Sequence, residues 1–185
     1  MSLENGMGSD NTKHKVFLSF YHKDQNYKDD FERKFGHVFI NKSVKKGEIN
    51  PDLSTEYIKR LIQEDKITGT SVIVVLIGPK TYCRKHVDWE ISAALNKKVG
   101  GYSGLIGILL PEYPLAYKNE YSNEDIPPRL ADNVKSGYAK IYPWDWVCAN
   151  EQRIRSKIEE AFHSKNINSG KINNSREQFS YNRCE

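Results

Sequence analysis

Apolar residues in this chain come in two alternating rhythms. Val16-Phe17-Leu18-Ser19-Phe20 is a short apolar run that ends in polar residues, as a strand buried on both faces would be. Tyr27, Phe31 and Phe35 then fall at four-residue steps, a helical stripe that Gly36 can stop. His37-Val38-Phe39-Ile40 predicts a second strand, and a polar loop follows from Asn41 to Asp52. A helix is expected from Ser54, a suitable N-cap, to Lys66, with Tyr57, Ile58, Leu61 and Ile62 on one face. Ser71-Val72-Ile73-Val74-Val75-Leu76-Ile77 is the strongest strand signal in the chain, closed by Gly78-Pro79.

The rhythm then repeats. A helix is expected over Thr81–Lys97 and a buried strand over Leu105–Leu110. Residues 111–137, with Pro114, Pro127 and Pro128, read as an irregular excursion. A short edge strand over Tyr138–Tyr142 and a helix over Asn150–His163 close the pattern. Strands alternating with helices force crossovers, and right-handed crossovers stack helices on both faces of a parallel sheet. The predicted fold is α/β and flavodoxin-like, with five parallel strands in the order 2-1-3-4-5. Ligands bind such sheets at the carboxyl ends of the strands, beside the switch between the first and third. Ser19–Asp24, Gly78–Tyr82 and the start of the next helix therefore share one crevice.

Composition adjusts this picture at the edges. Residues 1–13 are small and polar and read as an expression scar and flexible lead, leaving a domain over 14–163. Residues 164–185, rich in Asn, Ser and Lys, read as a polar tail, with Phe179 and Tyr181 as its only anchors onto the body. A net charge of +4 with no basic helix or aromatic-basic ladder gives no nucleic-acid signature. Cys83, Cys148 and Cys184 are too few and too scattered for a disulfide framework, and the histidines lack metal-ligand spacing. No apolar run is long enough to span a bilayer, so a cytoplasmic, reducing setting is expected, with no metal and no membrane partner.

Familiar phosphate cradles and nucleophile elbows are missing: there is no Gly-x-Gly-x-x-Gly after the first strand, no Walker-type loop and no Gly-x-Ser-x-Gly. A phosphorylated receiver would need acidic residues where Ser19-Phe20 and Gly78-Pro79 stand. What remains is the helix around Glu90. At about 100° per residue, Val87, Ile91, Ala94 and Leu95 face the sheet and Glu90 lies about 85° from their centre, with His86 one turn earlier on the same flank. A carboxylate on that border is partly desolvated yet open to a ligand, which raises its pKa and suits catalysis. The same position also suits a border glutamate paired with His86 or Lys97. Trp89, about 175° from the stripe, is expected to be exposed.

Three segments in this order are similar to a known family. Val16–Asp24 resembles the opening box of TIR domains, Ser71–Tyr82 their third strand and the turn after it, and His86-Val87-Asp88-Trp89-Glu90-Ile91 the helix with their catalytic glutamate. The bacterial TIR-like group, which includes the signal-generating subunit of Thoeris antiphage systems, is the variant most resembled, over about Lys15–Trp146. Two departures stand out: His86 occupies the usual Trp position, and the loop 41–52 differs from the usual TIR loop.

The resemblance implies cleavage of NAD between nicotinamide and ribose, in some members followed by cyclisation of the ADP-ribose. It implies Glu90 as the catalytic residue, Ser19 and Phe20 lining the nicotinamide-ribose pocket, His22 and Asp24 at its rim, and Thr81 and His86 as further substrate-binding positions. NAD is then a substrate and no cofactor is called for. The expected partners are NAD or a related nucleotide, a second copy of the chain, and, indirectly, a messenger-gated effector protein. TIR domains also act as non-catalytic interaction modules, and that alternative stays open, as does a nucleotide sensor without turnover. The aromatic cluster Tyr142-Pro143-Trp144-Asp145-Trp146 either caps the end of the sheet or stacks a base.

Overall fold

A computed structural model of the chain describes residues 12–43 and 54–184. Most of the expected lead and of the 41–52 loop lies outside these residues. The elements are β1 (Lys15–Ser19), α1 (Gln25–Phe35), β2 (Ile40–Asn41), α2 (Thr55–Leu61), β3 (Val72–Ile77), α3 (Lys85–Ala94), β4 (Gly104–Leu109), α4 (Pro128–Lys135), β5 (Lys140–Pro143), α5 (Trp144–Cys148) and α6 (Glu151–Ile167). The five strands form one parallel sheet in the order β2-β1-β3-β4-β5. This is the α/β, flavodoxin-like order the alternation predicts.

β3 and β4 are buried along their whole length, which is why both read as unbroken apolar runs. Period-two alternation divides the core between the two faces. Phe17, Ile73, Val75, Ile77, Leu105 and Leu109 meet α2, α3 and α4. Val16, Leu18, Val74, Leu76, Ile106 and Ile108 meet α1, α5 and α6. Ser54 caps α2 by accepting a hydrogen bond from the Tyr57 amide at 3.3 Å, and α2 continues as a wider π-helical turn over Ile62–Ile67. In α2 itself Ile58 faces inward, whereas Tyr57 is exposed.

Several elements differ from the sequence reading. β2 is two residues long, because Val38 and Phe39 are buried in the core cluster with Phe31 and Phe35 and do not pair in the sheet. The helix expected from Thr81 begins at Lys85, after a 3-10 turn over Thr81–Cys83. The irregular excursion holds α4, whose first turn contains Pro128, a residue suited to helix starts.

The end of the chain departs most. After α6, residues 168–184 run across the outer side of α3 and α4 as a strap. Phe179 is buried, the Trp89 indole N–H donates to its carbonyl at 2.7 Å, and its own amide donates to Asp88 Oδ2 at 2.9 Å. Trp89, expected at the surface, is therefore 1 % exposed. Arg129, fully buried, donates to Asp88 Oδ1 at 2.9 Å and to the Asn174 side chain at 2.8 Å. Cys83 and Cys184, read as scattered thiols, are joined by a disulfide with Cα atoms 5.6 Å apart. The polar composition that suggested a loose tail instead joins it to the body by amides: the Asn174 side chain donates to the Ser92 carbonyl at 2.9 Å, and the Asn133 side chain donates to the Asn173 carbonyl at 2.7 Å and accepts from the Asn173 amide at 2.9 Å.

Candidate functional site

The site is built where β1 ends. Alternation turns Phe17 and Ser19 toward α3 and places Ser19, a polar residue, at 0 % exposure. A hydroxyl so buried requires a partner. Helix α3 provides it: the Ser19 hydroxyl donates to Glu90 Oε2 at 2.6 Å. Val87, Ile91, Ala94 and Leu95 anchor the inner face of α3 on the sheet, and the strap holds Asp88 and Trp89 from outside. Glu90 lies between these two buried faces with part of its surface open. Desolvation pushes its carboxyl up to about 8, against the lowering effect of the Ser19 hydrogen bond. Its partner is thus Ser19, and Lys97 is exposed at the far end of the helix.

A second carboxylate stands at the same end of the sheet. Asp24 ends the short turn His22–Asp24, and its Oδ2 is buried against Gly78, where an added Cβ would lie 2.5 Å away; that oxygen has no hydrogen-bond partner among the described residues. Burial and then the Glu112 charge raise its pKa to about 6, against the lowering effects of the Thr81 hydroxyl and Arg84. Thr81 is buried and its hydroxyl accepts the Gly78 amide at 2.9 Å, holding the turn after β3. The Arg84 guanidinium lies 3.9 Å from the Tyr21 ring centroid. Tyr27 is pushed well above the ordinary phenol range by burial and by its hydrogen bond to Glu112.

The expected residues therefore fall into groups. Ser19 meets Glu90, and Asp24 meets Thr81. His86 sits partly buried one turn before Glu90, its ring 5.1 Å from that of Trp89, and burial followed by the Lys85 charge lowers its pKa. Phe20, one residue past Ser19, turns to the opposite face and packs with the α1 and α6 cluster. His22 is exposed, edge-on to Tyr21. Arg84, Glu112 and the strap were not singled out from the sequence: Arg84 lay inside a presumed helix, Glu112 inside the irregular excursion, and the strap inside a presumed tail. In the aromatic cluster, Trp144 is buried beside Tyr27 and Phe31, whereas Trp146 is half-exposed and stacks on Tyr142.

Cavities among the described residues include one of about 380 Å³ between α6 and the β4–β5 edge and one of about 560 Å³ beside Tyr57, Arg60 and Gln178; Glu90 lines neither. No group of three or more His, Cys, Asp or Glu side chains among the described residues is gathered for a metal. No helix among them is long and apolar enough to cross a membrane.

Comparison with protein-family models matches residues 17–113 to the family described as Thoeris protein ThsB, TIR-like domain. Among solved structures the chain is similar to TIR domains in a structure of the activated Roq1 resistosome directly recognizing the pathogen effector XopQ. Identity there is 12 %, coverage is 85 % of this chain and 84 % of that one, and the TM-score is 0.37. Comparison with curated proteins gave no match.

Proposed function

Because this chain belongs to the Thoeris ThsB family of TIR-like domains, we propose that it is a signalling enzyme that cleaves NAD at the nicotinamide–ribose bond, with Glu90 as its catalytic residue. One observation carries the reading: a glutamate held by Ser19 at the carboxyl end of the sheet, with desolvation raising its pKa to about 8.

In the reaction the bond between the ribose anomeric carbon and the pyridinium nitrogen breaks. Its electron pair returns to the ring, so nicotinamide leaves neutral and needs no proton. Positive charge develops on the ribose, as in glycoside hydrolysis. An ionised Glu90 accepting hydrogen bonds from the ribose hydroxyls interacts more strongly as that charge grows, so it favours the transition state over the substrate. Water then attacks the cationic carbon, loses a proton to solvent and yields ADP-ribose. Attack by a nucleophile of the same molecule yields a cyclic product. Either product suits a messenger read by a separate nucleotide-gated effector in antiphage defence.

The test is nicotinamide release from NAD by purified protein, with and without an infection trigger. Glu90→Gln keeps the side-chain size and is expected to lower the rate by about 100-fold or more, with cooperative folding retained. An unchanged rate would remove Glu90 from its role.

A second reading is favoured by a specific observation: Glu90 is already bonded to Ser19, and the cavities described above lie elsewhere. On that reading the chain is a non-catalytic module that assembles with its own copies. It predicts micromolar self-association that Glu90→Gln leaves intact, together with no nicotinamide release under either condition.

A further inference from the structure

The strap is held in two unequal parts. Up to Phe179 it is fixed by buried contacts with Arg129, Asp88, Trp89 and Asn133. Beyond Phe179 the chain is exposed, and Tyr181 is 71 % exposed. Those last residues are held by the Lys85 amide donating to the Asn182 side chain at 3.0 Å, by the Arg183 amide donating to the Cys83 carbonyl at 2.9 Å, and by the Cys83–Cys184 disulfide.

The two sulfurs are unlike. Cys83 is fully buried, whereas Cys184 is half-buried. Cys184 also covers something: Arg84 Nη1 donates to its carbonyl at 3.4 Å, while Arg84 Nε donates to the Lys80 carbonyl at 3.2 Å. The same guanidinium stacks on Tyr21 and acts on Asp24, so the bond closes the end of the strap over the rim of the crevice.

We propose that Cys83 and Cys184 form an exchangeable thiol–disulfide site, opened in the native protein by a dithiol reductant, that latches residues 180–184 over Arg84. The accessible sulfur is that of Cys184, on a short surface segment that can swing away without unpacking the core. A dithiol attacks it as thiolate. The disulfide breaks and its electron pair leaves with Cys83 Sγ, which takes up a proton. The thiol so formed has the Lys80 carbonyl 3.1 Å away as an acceptor. The second thiol of the reductant then attacks the mixed disulfide, releasing the Cys184 thiol and leaving the reductant as its own disulfide. Cys148 does not compete in this exchange, because burial pushes its thiol up to about 11 and keeps it protonated.

The test uses the whole chain, equilibrated without denaturant in oxidised or in reduced dithiothreitol. In the oxidised sample, thiol alkylation and mass measurement should find Cys83 and Cys184 bonded. In the reduced sample the chain should gain two hydrogens, Cys184 should alkylate faster than Cys83, and tryptic cleavage after Arg183 should quicken about ten-fold or more. Cys184→Ser replaces the less buried partner and should cleave at the fast rate in both samples. The proposal is overturned if no disulfide forms under oxidant, if the bond yields to dithiothreitol only in denaturant, or if cleavage after Arg183 is equally fast in both samples. None of these readouts involves NAD, so the latch and the proposed activity stand or fall separately.

Discussion

At the scale of single residues, the Ser19–Glu90 contact sets how the site responds to pH. Glu90 holds its proton up to about 8 in the folded chain, above its value of 4.5 in the unfolded one. The folded state therefore binds the extra proton between those values, and this group's contribution to stability falls as pH rises across the window. Glu90→Gln should remove the decline, gaining about 2 kcal/mol over wild type between pH 5 and pH 9 in chemical denaturation, a figure discounted for the carboxyl's partial access to water. In the proposed reaction catalysis should run the other way, because there it is the ionised form that stabilises the ribosyl cation. The kcat/KM for NAD is expected to rise with pH through about 8. Ser19→Ala deletes the one hydrogen bond that lowers this pKa and should move the rise upward by up to about one unit; a profile left in place would show that another group titrates. Helical arithmetic placed Glu90 on the border of the core stripe, because that angle is a local property, whereas its catalytic role is only what the TIR resemblance implies. The same arithmetic failed for Trp89, whose cover comes from Phe179, 90 residues away.

At the scale of elements, what was legible depended on how each segment is buried. β3 and β4 are covered on both faces and announce themselves as continuous apolar runs. β2 lies at an edge with only two paired residues, so its apolar neighbours suggested a longer strand than exists. α4 was hidden by Pro127 and Pro128, which read as breakers but stand at its start. The approach of α6 to β4 is equally invisible in sequence, apart from a glycine just before an apolar run. A Cβ on Gly104 would lie 2.2 Å from the Ala161 carbonyl oxygen, so the helix backbone rests directly on the strand. Gly104→Ala should push α6 outward and lower stability by about 2–3 kcal/mol, measured as a fall in the denaturation midpoint at constant slope. A neutral result would mean that α6 slides freely over the sheet.

At the scale of the whole molecule, the strap makes the end of the chain part of the core around the candidate site. Phe179 is 2 % exposed, and its backbone completes the hydrogen bonding of both Trp89 and Asp88. Phe179→Ala should cost about 3–4 kcal/mol and make tryptophan emission more accessible to a soluble quencher, a change that a distant surface substitution would not produce. Sequence composition could not reveal this, because hydrophobic patterning sees two aromatic residues, Phe179 and Tyr181, in a polar stretch and not the amides that fit buried carbonyls. The separation also has a consequence for biogenesis. With a ribosome adding about 5–20 residues per second, the 90 residues between Trp89 and Phe179 take several seconds or more to appear. During that interval the nascent chain presents an uncovered indole and a buried-type aspartate to its surroundings, a ready foothold for chaperones or for a neighbouring polysome product.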